Sequence, residues 1–180
     1  HLLYNLTEYQ RRFSFWFPKD FKIVKIKAEK IDKEDKKKIK KEVMSTFSGG
    51  MDSFYTLWKH LPENELIKDF QITHTLFIQG LDISLYDKKT FETLKESYSE
   101  LMKKLNIEMI TLSTNLKRFH EKTNVDWEST HGSALVGIVL LFDKNISLFY
   151  FSEDDTYDYL PPYGINLAAN YLLSTRNLNV

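Results

Sequence analysis

The chemistry-bearing residues of this chain are concentrated in one short run, Ser48-Gly49-Gly50-Met51-Asp52-Ser53. Two adjacent glycines let the backbone approach an anion closely and adopt conformations closed to residues with a Cβ. The run follows a strand-like segment, Val43-Met44-Ser45-Thr46-Phe47, and precedes Phe54, Leu57, Trp58 and Leu61, which recur at helical spacing. It therefore feeds a helix N-terminus, where unpaired N–H groups and the positive end of the helix dipole attract negative charge. Ser48 and Ser53 add hydroxyl donors. Asp52 would repel a bare phosphate, but a carboxylate can hold Mg²⁺, and Mg²⁺ neutralises phosphate oxygens. The set suits a magnesium-bound di- or triphosphate. It is not the Walker loop, because the glycines are adjacent and no Gly-Lys-Ser/Thr follows, and it lacks the glycine spacing of the dinucleotide fingerprint.

The elements that must position this loop are legible in outline. Residues 2–27 read as strands, with Phe13-Ser14-Phe15-Trp16-Phe17 alternating before Pro18. Residues 30–41 are lysine-rich, which reads as a solvated helix or linker, with a nucleic-acid- or partner-binding arm as the alternative. A boundary is placed there: a small N-terminal β extension and linker over 1–41, and the main domain over 42–180. Further strands are expected over 72–79, 107–112 and 146–151. An amphipathic helix is expected over 88–105, a buried helix over 132–142 and a last helix near 167–173. Strands alternating with helices predict an α/β fold, a three-layer Rossmann-like parallel sheet. Ligands of such sheets bind outside the carboxyl ends of the strands. That rule gathers residues 48–53, 79–87, 113–130 and 152–166 on one edge.

Several residues on that edge could touch a substrate. Lys117 and Arg118, with Asn115 beside them, could contact a phosphate or carboxylate, or form a solvated pair. His131, before Gly132, opens the buried helix and is either an anion contact or a structural cap. Asp154 and Asp155 could add a metal ligand or be solvated loop acids. Tyr157, Tyr159 and Tyr163, among prolines, read equally as a lid and as loop packing.

Composition sets the limits. The chain has 180 residues, enough for one domain with a single core, and carries 25 basic and 25 acidic residues. A neutral balance gives no global pull toward nucleic acid or anionic membrane. The absence of cysteine excludes disulfides, thiolate zinc sites and persulfide chemistry within these residues. No apolar run reaches membrane-spanning length, and a cytoplasmic setting is expected. The first residue is His1 rather than Met, from which we expect a part of a longer protein.

The run Ser48 to Ser53 matches S-G-G-x-D-S, the signature of the N-type ATP pyrophosphatases, or PP-loop ATPases. At roughly 6% usage per residue, five specified positions recur by chance in about one of several thousand chains this size. The resemblance covers residues 42–175 and implies an adenine nucleotide α-hydrolase-like fold. It implies ATP and Mg²⁺ as cofactors, and adenylation of a carboxylate or carbonyl oxygen, with a nitrogen nucleophile then displacing AMP. By that resemblance Ser48, Gly49, Gly50, Met51 and Ser53 grip pyrophosphate and Asp52 holds Mg²⁺. Phe77, Ile78 and Gly80 receive adenine through the backbone. Gly80-Leu81-Asp82-Ile83 and His131-Gly132 are closest to 7-cyano-7-deazaguanine synthase-like members, although the zinc cysteines of that branch are absent. Divergent relatives of that kind also occur in bacterial antiphage systems. The alternative is a nucleotide-binding or degenerate subunit acting through a protein partner or as a homodimer.

Overall fold

The computed structural model describes residues 2–29, 42–153, 156 and 158–180; Asp154, Asp155, Tyr157 and the lysine-rich segment lie outside the described residues. Its elements in chain order are α1 (Leu2–Trp16), β1 (Glu42–Thr46), α2 (Met51–Lys59), β2 (His74–Gln79), α3 (Lys88–Lys104), β3 (Glu108–Ser113), α4 (Leu116–His120), α5 (His131–Val139), β4 (Ile146–Tyr150) and α6 (Leu167–Asn170), with short 3-10 turns between some of them. The fold is α/β with a four-stranded parallel sheet in the order β3-β2-β1-β4. Apart from the N-terminal segment, the expected strands and helices appear within a few residues of their predicted bounds. The polar segment after β3 also contains α4.

The N-terminal segment is a correction. Leu2–Trp16 is helical, and no strand forms between residues 2 and 29. The alternation at 13–17 is short, whereas Tyr9 and Phe13 are four apart and both are buried on one helix face. Phe13 stacks on Tyr9 at 4.5 Å and meets Phe21 edge-on at 5.4 Å. Buried partners, not local alternation, decide the conformation.

The chain divides into two compact units. One comprises 1–40, 124–147 and 156–180. In it, α1 packs on α6 and on the 3-10 turn Tyr171–Leu173. Phe13, Val136, Val139, Ala169 and Leu178 are buried there.

The other unit comprises 41–123 and 148–155, and holds β1, β2, β3 and the last three residues of β4. Its core clusters Val43, Phe47, Leu57, Ile72, Met102 and Ile107. β2 runs as buried Leu76, Phe77 and Ile78, as expected of an inner strand covered on both faces. α3 is N-capped by Asp87, whose carboxylate accepts the Thr90 N–H at 3.1 Å, and it buries Phe91 and Met102 against the sheet.

Candidate functional site

Strand order identifies where a ligand should sit. The chain runs β1 to β2 to β3 in one direction, and β4 then lies on the other side of β1. The order reverses at β1, and in open parallel sheets the crevice beyond that reversal is the ligand site. The run Ser48 to Ser53 leaves β1 at this point and enters α2, with Gly50 as the N-cap.

The loop is held by its own side chains. Gly49 has φ +84°, in the left-handed region that favours glycine. A Cβ there would lie 1.8 Å from the Tyr98 hydroxyl oxygen, so Tyr98 of α3 rests directly on this backbone. The Tyr98 hydroxyl also approaches the Ser48 carbonyl at 3.4 Å. Ser53 is buried; its Oγ accepts the Gly49 N–H at 3.1 Å and donates to the Gly50 carbonyl at 2.8 Å. Ser48 Oγ accepts the Gly50 N–H at 3.3 Å. The two serines therefore brace the loop. Ser53 spends its proton on Gly50, whereas Ser48 retains a hydroxyl proton to give. The first turn of α2 offers the N–H groups of Met51, Asp52 and Ser53, because the helical ladder begins with Phe54 N–H to Gly50 O at 3.1 Å. Asp52 lies in that turn with an exposed side chain.

Below the loop, Phe47 meets Phe54 at 4.9 Å and Tyr98 at 5.1 Å. Phe77 stacks on Phe91 at 4.8 Å and meets Tyr98 edge-on at 5.1 Å. The Phe77 side chain thus belongs to the core. What Phe77 and Ile78 offer a ligand is backbone: β2 pairs with β1 only as far as Leu76, but with β3 as far as Gln79. Three residues of β2 project past β1 on the side of the glycine loop.

Gly80 ends β2 with φ +97°, and a Cβ there would lie 1.8 Å from the Thr114 carbonyl oxygen. The chain leaving β2 and the chain leaving β3 cross at this glycine. Lys117 Nζ donates to the Leu81 carbonyl at 3.3 Å, and Arg118 donates to the Tyr86 hydroxyl at 2.6 Å. Both cations therefore stand at the carboxyl edge beside Gly80, around a cleft of about 400 Å³ that Asp82 and Glu121 also line. Asn115 is the N-cap of α4 through its carbonyl, which accepts the Phe119 N–H at 2.8 Å; its side chain makes no cap bond.

His131 belongs to the other compact unit. Its Nδ1 lies 3.0 Å from the Glu128 carbonyl, which also accepts the Gly164 N–H at 2.7 Å. Tyr163 donates its hydroxyl to the Glu128 carboxylate. A Cβ on Gly132 would lie 2.0 Å from the Gly164 carbonyl oxygen. His131-Gly132 thus joins the first turn of α5 to residues 163–165. Asp154 and Asp155 lie outside the described residues.

Sequence reasoning missed Tyr98. Its spacing on α3 reads as an ordinary core position, and nothing local says that its hydroxyl end reaches the glycine loop.

No family model, no curated protein and no solved structure matches this chain. Among the described residues, no helix is long and apolar enough to cross a membrane.

Proposed function

We propose that the chain binds magnesium-ATP at Ser48–Ser53 and cleaves it between the α and β phosphates to adenylate a carboxylate or carbonyl oxygen. The observation that carries this reading is the S-G-G-x-D-S loop at the end of β1, held with φ +84° at Gly49 and opening into α2 where the strand order reverses. A pyrophosphate there would meet the N–H groups of Met51, Asp52 and Ser53 and the Ser48 hydroxyl. Asp52 fits magnesium chemistry: it is an exposed carboxylate beside those donors. Magnesium commonly takes one or two carboxylates and completes its shell with phosphate oxygens and water. Among the described residues no group of three acids or histidines forms an all-protein metal cage, as this mode of binding requires none.

The backbone of Phe77–Gln79 that projects past β1 supplies hydrogen-bonding edges suited to adenine. The protein's work in such a reaction is positioning and charge stabilisation as negative charge moves onto the leaving pyrophosphate. Lys117 and Arg118 are the cations assigned to the α-phosphate or to the acceptor's charge. A nitrogen nucleophile would then displace AMP.

Product analysis tests the proposal. Incubation with Mg-ATP and a panel of small carboxylic acids plus ammonia should release AMP and pyrophosphate in equal amounts, and Asp52→Ala should reduce that release by about 100-fold or more. Release of ADP and phosphate, or turnover indifferent to Asp52→Ala, rejects it.

A further inference from the structure

The outward face of α2 is apolar where a solvent-facing helix should be polar. Met51, Phe54, Tyr55 and Trp58 fall at i, i+3, i+4 and i+7, one stripe of the helix, while Ser53 and Leu57 face inward. Met51 is 84% exposed, Tyr55 57% and Trp58 56%. Residues 61–67 fold back on the end of α2, where Asn64 donates its side-chain amide to the Trp58 carbonyl at 2.7 Å. For side chains of this size, the exposures of Met51, Phe54, Tyr55 and Trp58 amount to roughly 500 Å². That is the size of the largest patch on a typical monomer, about 300–600 Å² and often an interaction site, and more than half of the roughly 800 Å² per partner that a stable interface covers.

Charge names the occupant. Asp52 and Lys59 flank one edge of the stripe, seven residues or two turns apart, and both are exposed. A two-fold axis perpendicular to α2, passing between the copies level with Tyr55, would lay the two helices antiparallel. It would set Asp52 of each against Lys59 of the other, and the two helix dipoles would oppose favourably. We infer that this face docks against the same face of a second copy of the chain.

The inference stands on the surface of α2 and not on the nucleotide reading. Asp52 is also the proposed magnesium ligand, so the measurement is made without nucleotide. Sedimentation velocity of the chain across about 1–100 μM should show a reversible monomer–dimer equilibrium, within the affinity range of interfaces of this size. Trp58→Glu and Tyr55→Glu, both at exposed positions, should each weaken association at least about tenfold with an unchanged circular dichroism spectrum. Asp52→Lys and Lys59→Asp should each weaken it about threefold to tenfold, and the two together should restore it to within about twofold. A chain that stays monomeric throughout overturns the inference. So does a dimer that survives Trp58→Glu, or a double exchange that fails to restore association. AMP formation by the unmutated chain, measured separately, tests the nucleotide site whichever of these outcomes is found.

Discussion

At the scale of single residues, Gly49 and its cover Tyr98 carry the site. Gly49 needs a left-handed backbone and also has no room for a side chain. The two demands can be separated. Gly49→Ala should cost about 2–4 kcal/mol, combining the left-handed penalty with displacement of Tyr98. Adding Tyr98→Ala removes the clash but not the backbone penalty. The double variant should therefore be more stable than the sum of the two single losses predicts, with a coupling of about 1 kcal/mol or more in a urea-unfolding cycle. Strict additivity would mean that Tyr98 does not rest on this glycine. Gly80 is the more demanding position, because its obstacle is the Thr114 backbone and not the far end of a side chain. Gly80→Ala should destabilise the chain more than Gly49→Ala does in the same unfolding assay.

At the scale of elements, the end of α2 carries a pH-sensitive contact. His60 follows the last turn, stacks on Tyr150 of β4 at 4.0 Å, and lies 3.2 Å from the Glu65 carboxylate. Burial lowers the His60 pKa below its ordinary value, and the Glu65 contact only partly opposes this. Folding therefore favours the neutral imidazole. The unfolded chain takes up the proton near its usual pKa of about 6.5, while the folded chain resists it. The stabilisation is present above pH 6.5 and is lost as pH falls through the lowered folded pKa. Melting temperatures taken from pH 7.5 down to 5 should fall more steeply for the wild type than for His60→Gln. Equal slopes would place the pH dependence elsewhere. Tyr150, whose hydroxyl donates to the Phe70 carbonyl, is pushed up to about 12 by burial and stays protonated throughout that range.

At the scale of the whole molecule, the first segment of the chain is core. Read as alternating residues it is an added sheet; in the structure α1 packs with α6 and the Tyr171–Leu173 turn. Phe13 is buried among Tyr9, Trp16, Phe17 and Phe21. Phe13→Ala should cost about 3–5 kcal/mol in urea unfolding, the price of a large buried aromatic. Phe15→Ala, at an exposed position on the same helix, should change stability by about 0.5 kcal/mol or less. Similar small losses for both would return the segment to the status of an appendage.

The sequence alone determined the glycine loop, its place between a strand and a helix, and most of the parallel α/β alternation. Those features are local: glycine pairs, helical spacing and buried β-branched runs write themselves into a few consecutive residues. The tertiary structure alone decided what covers the loop, because Tyr98 reaches Gly49 across 49 residues of chain. It also decided that the paths leaving β2 and β3 cross at Gly80, and that Lys117 and Arg118 gather on the loop at 81–86. It turned an alternating aromatic run into a helix, because Tyr9 and Phe13 gain more by sharing one buried face than by alternating across a strand. It put His131 to work on the Glu128 and Gly164 backbone within its own unit. Each of these depends on which distant groups meet, and such meetings leave no local period in the chain.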